Sequence, residues 1–218
     1  MANHSQNNAP KPRKPQARTA LTRQKILTAA EDIARSGTLD DITAEAVAQA
    51  AGVAKGTVFS HFGDMDGLLS YLLLDRLKDL RAVSDADGMT SEADMADPLG
   101  ALVKRMMALM EVITSSQTML RVFMENIGVT KGHCAPEFVA QLDALDARLI
   151  SFLRHWQTSG TMTPALRQDR TPEELHDGLV AFIMHCAILQ QSRQVEDFAV
   201  ISHRLHRHLE AYLLARGA

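Results

Sequence analysis

The stretch from Thr43 to Phe62, TAEAVAQAAGVAKGTVFSHF, leaves this chain few choices of fold. Thr43 suits a helix start, because its hydroxyl can accept from the open backbone N–H groups of a first turn, and Glu45 brings negative charge to the positive helix end. Val47, Ala50 and Ala51 recur at helical spacing and predict one apolar stripe. Gly52 supplies the permissive backbone that a tight turn needs, so the helix is expected to stop there. Val53 continues the apolar contact across the turn, and Val58 and Phe62, one helical turn apart, give a second helix its buried side. Gly56, Thr57 and Ser60 are left facing outward, with Lys55 at the leading end. Small and hydrogen-bonding groups on one helix face are what insertion into a DNA major groove requires. Ala48 and Ala51 are small enough to let the two helices approach closely.

Charge is divided along the chain in a way that fits this reading. The net charge of -3 conceals a basic start. Through Phe62, eight basic residues (Lys11, Arg13, Lys14, Arg18, Arg23, Lys25, Arg35 and Lys55) face five acids, a balance of +3, whereas the remainder has 15 basic and 21 acidic residues, a balance of -6. A basic head on an acidic body binds DNA by one end. The chain of 218 residues is long enough to bury a sizeable core. It contains no apolar run of membrane-span length, and its first residues lack the apolar stretch of a secretory signal, so a cytoplasmic protein with no membrane partner is expected. Two cysteines, Cys134 and Cys186, are too few for a disulfide framework.

Read in order, residues 1–17 are rich in Asn, Pro, Gln and Lys and are expected to be a disordered basic arm, either a solvated tail or a segment lying along the DNA phosphates. A first helix is expected from Thr19 or Thr22 to Ser36, carrying Ile26, Ala29, Ala30 and Ile33, with Gly37 as its stop and Leu39 and Ile42 closing a small core. A long helix follows from Met65 to about Val83, and the acidic stretch 84–97 reads as a loop. Further helices are predicted from Pro98, over 118–127, and from Pro136 to near Gly160, with a break over 128–133. Thr171 with Glu174 forms a capping-box pattern at the start of a helix over 172–191, and a last helix runs over 197–215. No strand pattern appears.

The set Ile26, Ala29, Ala30, Ile33, Gly37, Thr43, Val47, Ala48, Ala51-Gly52-Val53, Lys55-Gly56-Thr57, His61-Phe62 and Leu68 resembles the TetR family of bacterial transcriptional regulators over roughly residues 18–72. The resemblance implies an all-α chain. It has a three-helix, homeodomain-like helix-turn-helix domain over 18–64 and a helical bundle for ligand binding and dimerisation over 65–218. Its DNA contacts would come from Thr22, Arg23, Thr43, Lys55, Gly56, Thr57, Phe59, Ser60 and His61. Phe59 stands where the family usually has tyrosine and lacks the hydroxyl, and Met65 stands where a lysine is common, so two phosphate contacts are lost. The family pairs its last two helices across a twofold axis, here 172–191 and 197–215, and the resulting homodimer would read a palindromic operator on double-stranded DNA. An inducer pocket inside the bundle would be lined by Met106, Met110, Phe123, Met124, Phe152 and Trp156, which suits a small, mostly apolar ligand. The same methionine stripe is also what a solid core would show.

Other function classes find little in the sequence. No nucleophile elbow, zinc-protease motif or phosphate-binding glycine loop is present, so catalysis and cofactors are not expected. His133-Cys134 and His185-Cys186 are sequence neighbours that point apart on a helix, and His203, His206 and His208 have an electrostatic reason to lie near a helix C-terminus, so no metal is expected. The remaining rival keeps the DNA binding and drops the ligand: an architectural or constitutive DNA-binding protein of the same fold.

Overall fold

The computed structural model describes residues 14–86, 91–126, 134–195 and 197–214. Among these are ten α-helices, one short 3-10 turn and no strand beyond an isolated bridge between Leu166 and Leu214. The chain divides into two units, Met1–Gly63 and Asp64–Ala218.

In the first unit, α1 (Lys14–Ser36) starts earlier than the expected Thr19. Lys, Gln, Ala and Arg are good helix formers, and Pro15 falls in the first turn, where its missing N–H leaves no bond unmade. The rest of the expected arm, residues 1–13, lies outside the described residues. Ile26, Ala29 and Ala30 of α1 are buried with Leu39 and Ile42. The 3-10 turn Leu39–Asp41 is held by Asp41 Oδ2, which accepts from the Thr38 N–H at 2.7 Å and its hydroxyl at 2.8 Å. These two bonds, the backbone one first, hold the Asp41 carboxyl below its ordinary pKa.

The helix-turn-helix then forms for the local reasons read from its sequence. Thr43 Oγ1 accepts from Ala46 N–H at 3.2 Å and caps α2 (Ala44–Ala51). Gly52, at φ 66°, adopts the left-handed conformation that ends it. Helix α3 (Lys55–Phe62) buries Val58 and Phe62 against the rest of the unit and ends at Gly63, φ 77°. One expectation is corrected. The stripe of α2 is Ala44, Val47 and Ala48, and Ala50 is exposed, because the face is centred one residue earlier than Val47 and Ala50 suggested.

The second unit opens with α4 (Met65–Ala86), whose first turn is capped by Asp64 Oδ1 accepting from Gly67 N–H at 2.8 Å. Within the expected acidic loop there is a helix, α5 (Glu92–Ala96). Ser91 caps it, accepting from Asp94 N–H at 3.1 Å, and Arg105 grips both Asp94 carboxylate oxygens, at 2.6 and 3.2 Å. Helices α6 (Pro98–Ile113), α7 (Gln117–Asn126), α8 (Pro136–Thr158), α9 (Pro172–Gln191) and α10 (Phe198–Leu213) follow the predicted pattern. The expected break over 128–133 lies outside the described residues. The reciprocal bonds between Thr171 and Glu174, 2.8 and 3.2 Å, start α9 as the capping-box pattern predicts. In this unit α8 packs on α4 and α9, and α10 packs on α9 and α6. The core runs through Leu102, Met110, Ile113, Leu153, Trp156, Leu179, Leu205 and Leu209. Among the described residues, no helix is long and apolar enough to cross a membrane.

Candidate nucleic-acid interface

The outer face of α3 is made of small and polar groups because its inner face is taken by Val58 and Phe62. Lys55, Gly56 and Ser60 are exposed, and Thr57, Phe59 and His61 are half-buried. A side chain placed at Gly56 would meet nothing within 4 Å, so that stretch of backbone is open to close approach. Ser60 Oγ donates to the Thr57 carbonyl at 2.9 Å, which leaves its lone pairs free to accept. The hydroxyl of Thr43 is engaged as the α2 cap and that of Thr22 donates to the Arg18 carbonyl at 3.0 Å.

Two of the predicted DNA-contacting side chains have partners within the unit. Arg23 is half-buried, donates from Nη1 to the His61 carbonyl at 2.7 Å, and sets its guanidinium carbon 4.3 Å from the centre of the Phe62 ring. Arg23 therefore ties α1 to the C-terminal end of α3, where carbonyls lack helical partners. The Lys55 ammonium is paired with the Glu45 carboxylate and lies 6.0 Å from the centre of the Phe59 ring. The hydrogen bond from Lys55 is the main cause that lowers the Glu45 pKa. In the sequence Glu45 reads only as a helix-start acid. The one signal for its second role is Lys55, a cation at the positive end of α3, where it needs a counter-charge.

The predicted ligand residues belong to the second unit. Met106, Met110, Phe123, Phe152 and Trp156 are all buried in one cluster, with the Phe152 and Trp156 rings 6.0 Å apart. Trp156 also donates from Nε1 to the Pro164 carbonyl at 2.9 Å. Met124 departs from the prediction and is 46% exposed. Helix α7 turns Met119, Leu120, Val122 and Phe123 inward, and the remaining sector of the helix, where Met124 falls, faces out. A concavity of about 690 Å³ lies elsewhere, against α10, lined by Val103, Ser202, His203, His206, Arg207 and Glu210 among others. Both cysteines are buried, and burial raises the pKa of the Cys186 thiol.

Residues 26–72 match the family of bacterial regulatory proteins described as the tetR family. Over that segment the chain is similar to the TetR family. Its fold agrees along most of its length with that of FadR from Thermus thermophilus, a TetR-family transcriptional repressor solved in complex with lauroyl-CoA, at 22% identity and TM-score 0.61, covering 90% of this chain and 97% of that one. FadR from Bacillus subtilis, solved with stearoyl-CoA, is similar at 14% identity and TM-score 0.57, over 85% of this chain and 96% of that one. No curated protein matches the sequence. The proteins of the family that this segment matches are bacterial regulatory proteins.

Proposed function

We propose that this chain is a TetR-family protein, a homodimeric repressor that binds a palindromic operator through α3 of each head and is released by a small, mostly apolar ligand. The observation that carries the DNA reading is the division of α3. Val58 and Phe62 anchor one side, while Gly56, Thr57 and Ser60 lie on the other, with the exposed Lys55 at the leading end of the helix. Thr22, Arg23, Thr43, Phe59 and His61 complete the proposed contact set, and of these Arg23 acts as a clamp on α3. Two such heads set about 34 to 36 Å apart match half-sites one DNA turn apart. Exposed apolar side chains on the helices expected to pair, Ile188 on α9 at 46% and Val200 on α10 at 41%, support a second copy as partner. The setting in which such a regulator meets its operator is the cytoplasm.

The methionine-rich interior of the second unit supports an apolar ligand, and the lauroyl-CoA and stearoyl-CoA of the two FadR structures make acyl thioesters the first class to try. A second reading, ligand-independent binding by the same fold, is favoured by the packing of Met110, Phe152 and Trp156, each no more than 2% exposed. Ligand would act by favouring a conformer whose heads no longer fit the operator, which requires unequal affinity for the two conformers. The test is selection of bound sequences from a random duplex pool at fixed salt, followed by titration of the enriched site with acyl-CoAs and free fatty acids. A palindrome released by one of these supports the full proposal. A palindrome that none releases supports the ligand-independent reading, and no enriched motif counts against sequence-specific regulation altogether.

A further inference from the structure

Lys55 breaks a local rule of helix chemistry. It is the first residue of α3, where the exposed N–H groups already make the helix end positive, and a cation there is destabilising. The compensation comes from α2. The Glu45 carboxylate, ten residues earlier, reaches across the Gly52 turn and pairs with the Lys55 ammonium, while the Phe59 ring stands one helical turn further on, 6.0 Å from Nζ. Both partners are largely solvent-exposed, 51% for Lys55 and 67% for Glu45, so the pair adds little to folding stability. What it changes is the charge that the leading end of α3 shows to its surroundings. A neutralised lysine displaces no counterions from a duplex; a free one displaces about one for each phosphate it meets.

We propose that Glu45 is a specificity-determining residue, which restrains Lys55 from the DNA backbone and so holds down affinity for sequences that are not the operator. This rests on the DNA-binding reading above. Glu45 touches no base in this role; it acts through Lys55. On random duplex, where α3 finds no matching base edges, the carboxylate competes with phosphate for the ammonium and weakens the grip. On the operator, base contacts by the rest of α3 add affinity that does not depend on Lys55. Glu45 raises the ratio of specific to non-specific binding because the register imposed by those base contacts keeps Lys55 on Glu45, so loss of the carboxylate adds affinity on random duplex and not on the operator.

The experiment measures binding of the full chain to a random duplex and to its selected operator as salt is varied, for wild type, Glu45→Gln, Lys55→Gln and the double variant. Glutamine keeps the length and helix preference of glutamate and removes its charge. Glu45→Gln should steepen the slope of log K against log salt on random duplex by up to about 0.9, and should raise affinity there by about two- to fivefold near 0.1 M salt. In the Lys55→Gln background the same change should leave the slope unaltered. An unchanged slope in the single variant overturns the proposal, and so does an equal steepening without Lys55, which would make Glu45 a simple repulsive charge. Failure of the wild type to bind either duplex overturns the DNA-binding reading itself, and this inference with it; wild-type binding with a neutral Glu45→Gln overturns the inference alone.

Discussion

Gly178 sits inside α9, a position where glycine costs a helix about 1 kcal/mol relative to alanine. The reason it is there is Tyr212 of α10, whose ring lies across it. A Cβ added at 178 would stand 2.5 Å from Tyr212 Oη and closer still to Cζ and Cε1, whereas non-bonded carbon atoms settle at about 3.5 to 4 Å. The ring would have to retreat by about 1 Å or more to restore that spacing. It is held on two sides, by a hydrogen bond from its hydroxyl to the Glu174 carbonyl at 2.8 Å and by an edge-on contact with Phe182 at 5.5 Å. Losing the hydrogen bond costs about 1 kcal/mol, and the aromatic contact is worth about another. Residual overpacking adds about 1 kcal/mol or more. Against the gain of about 1 kcal/mol in helix preference, Gly178→Ala should destabilise by about 2 kcal/mol. Removing the obstacle reverses the sign: in a Tyr212→Ala background, Gly178→Ala should stabilise by about 1 kcal/mol. Urea unfolding of the four proteins at one protein concentration reads this directly, because a dimer's midpoint depends on concentration and equal m-values certify a comparable unfolded state. The same sign in both backgrounds would refute the reasoning.

Three other outcomes are expected. Arg23→Ala removes the partner of the His61 carbonyl and the cation over Phe62, and should destabilise the first unit by about 1 to 2 kcal/mol, seen as faster amide exchange in α3; unchanged protection would mean the clamp is incidental. Thr57→Ala and Ser60→Ala should lower discrimination between the selected operator and random duplex more than they lower affinity for random duplex, and equal losses on both would contradict the major-groove placement of α3. Arg167 grips Asp169 with bonds of 2.6 and 2.7 Å while donating to the Tyr212 carbonyl at 2.8 Å, and it lowers the Asp169 pKa from 3.8 to about 2. Because the folded value is the lower one, this contribution is complete above pH 3.8, shrinks below it and is lost once pH falls through about 2, so Asp169→Asn should flatten the stability profile only in that acid window.

The parts of this fold that were legible in the sequence are those decided by neighbouring residues. Thr43, Gly52 and the Thr171–Glu174 pair act on backbone groups within four residues, and each does in the structure what its local chemistry predicts. Where a decision needs a partner far along the chain, the sequence was silent. Helix α5 has a local cap in Ser91 that its acidic, turn-prone surroundings outweighed in the reading, and Arg105 gripping Asp94 adds a partner the sequence does not reveal. Arg23 looked like a displayed cation until His61 and Phe62 were brought beside it. The Lys55–Glu45 pair is invisible without knowing how α2 and α3 cross. Ala44, Ala48 and Ala50 are the same residue type, so periodicity could not say which of them α2 buries, and the facing of Met124 turned on the register of a helix of only ten residues.

Trp156 is the chain's one tryptophan, 1% exposed and fixed by its bond to Pro164, and the two tyrosines, Tyr71 and Tyr212, also belong to the second unit. The reading head has only phenylalanine among the aromatic residues. Light absorbed at 280 or 295 nm is therefore collected almost entirely by the bundle, and the head is optically dark. Ultraviolet fluorescence reports melting of the bundle or entry of a molecule beside the indole, while far-ultraviolet ellipticity includes the helices of both units. A difference between those two signals on heating isolates the unfolding of the head without attaching a label to it.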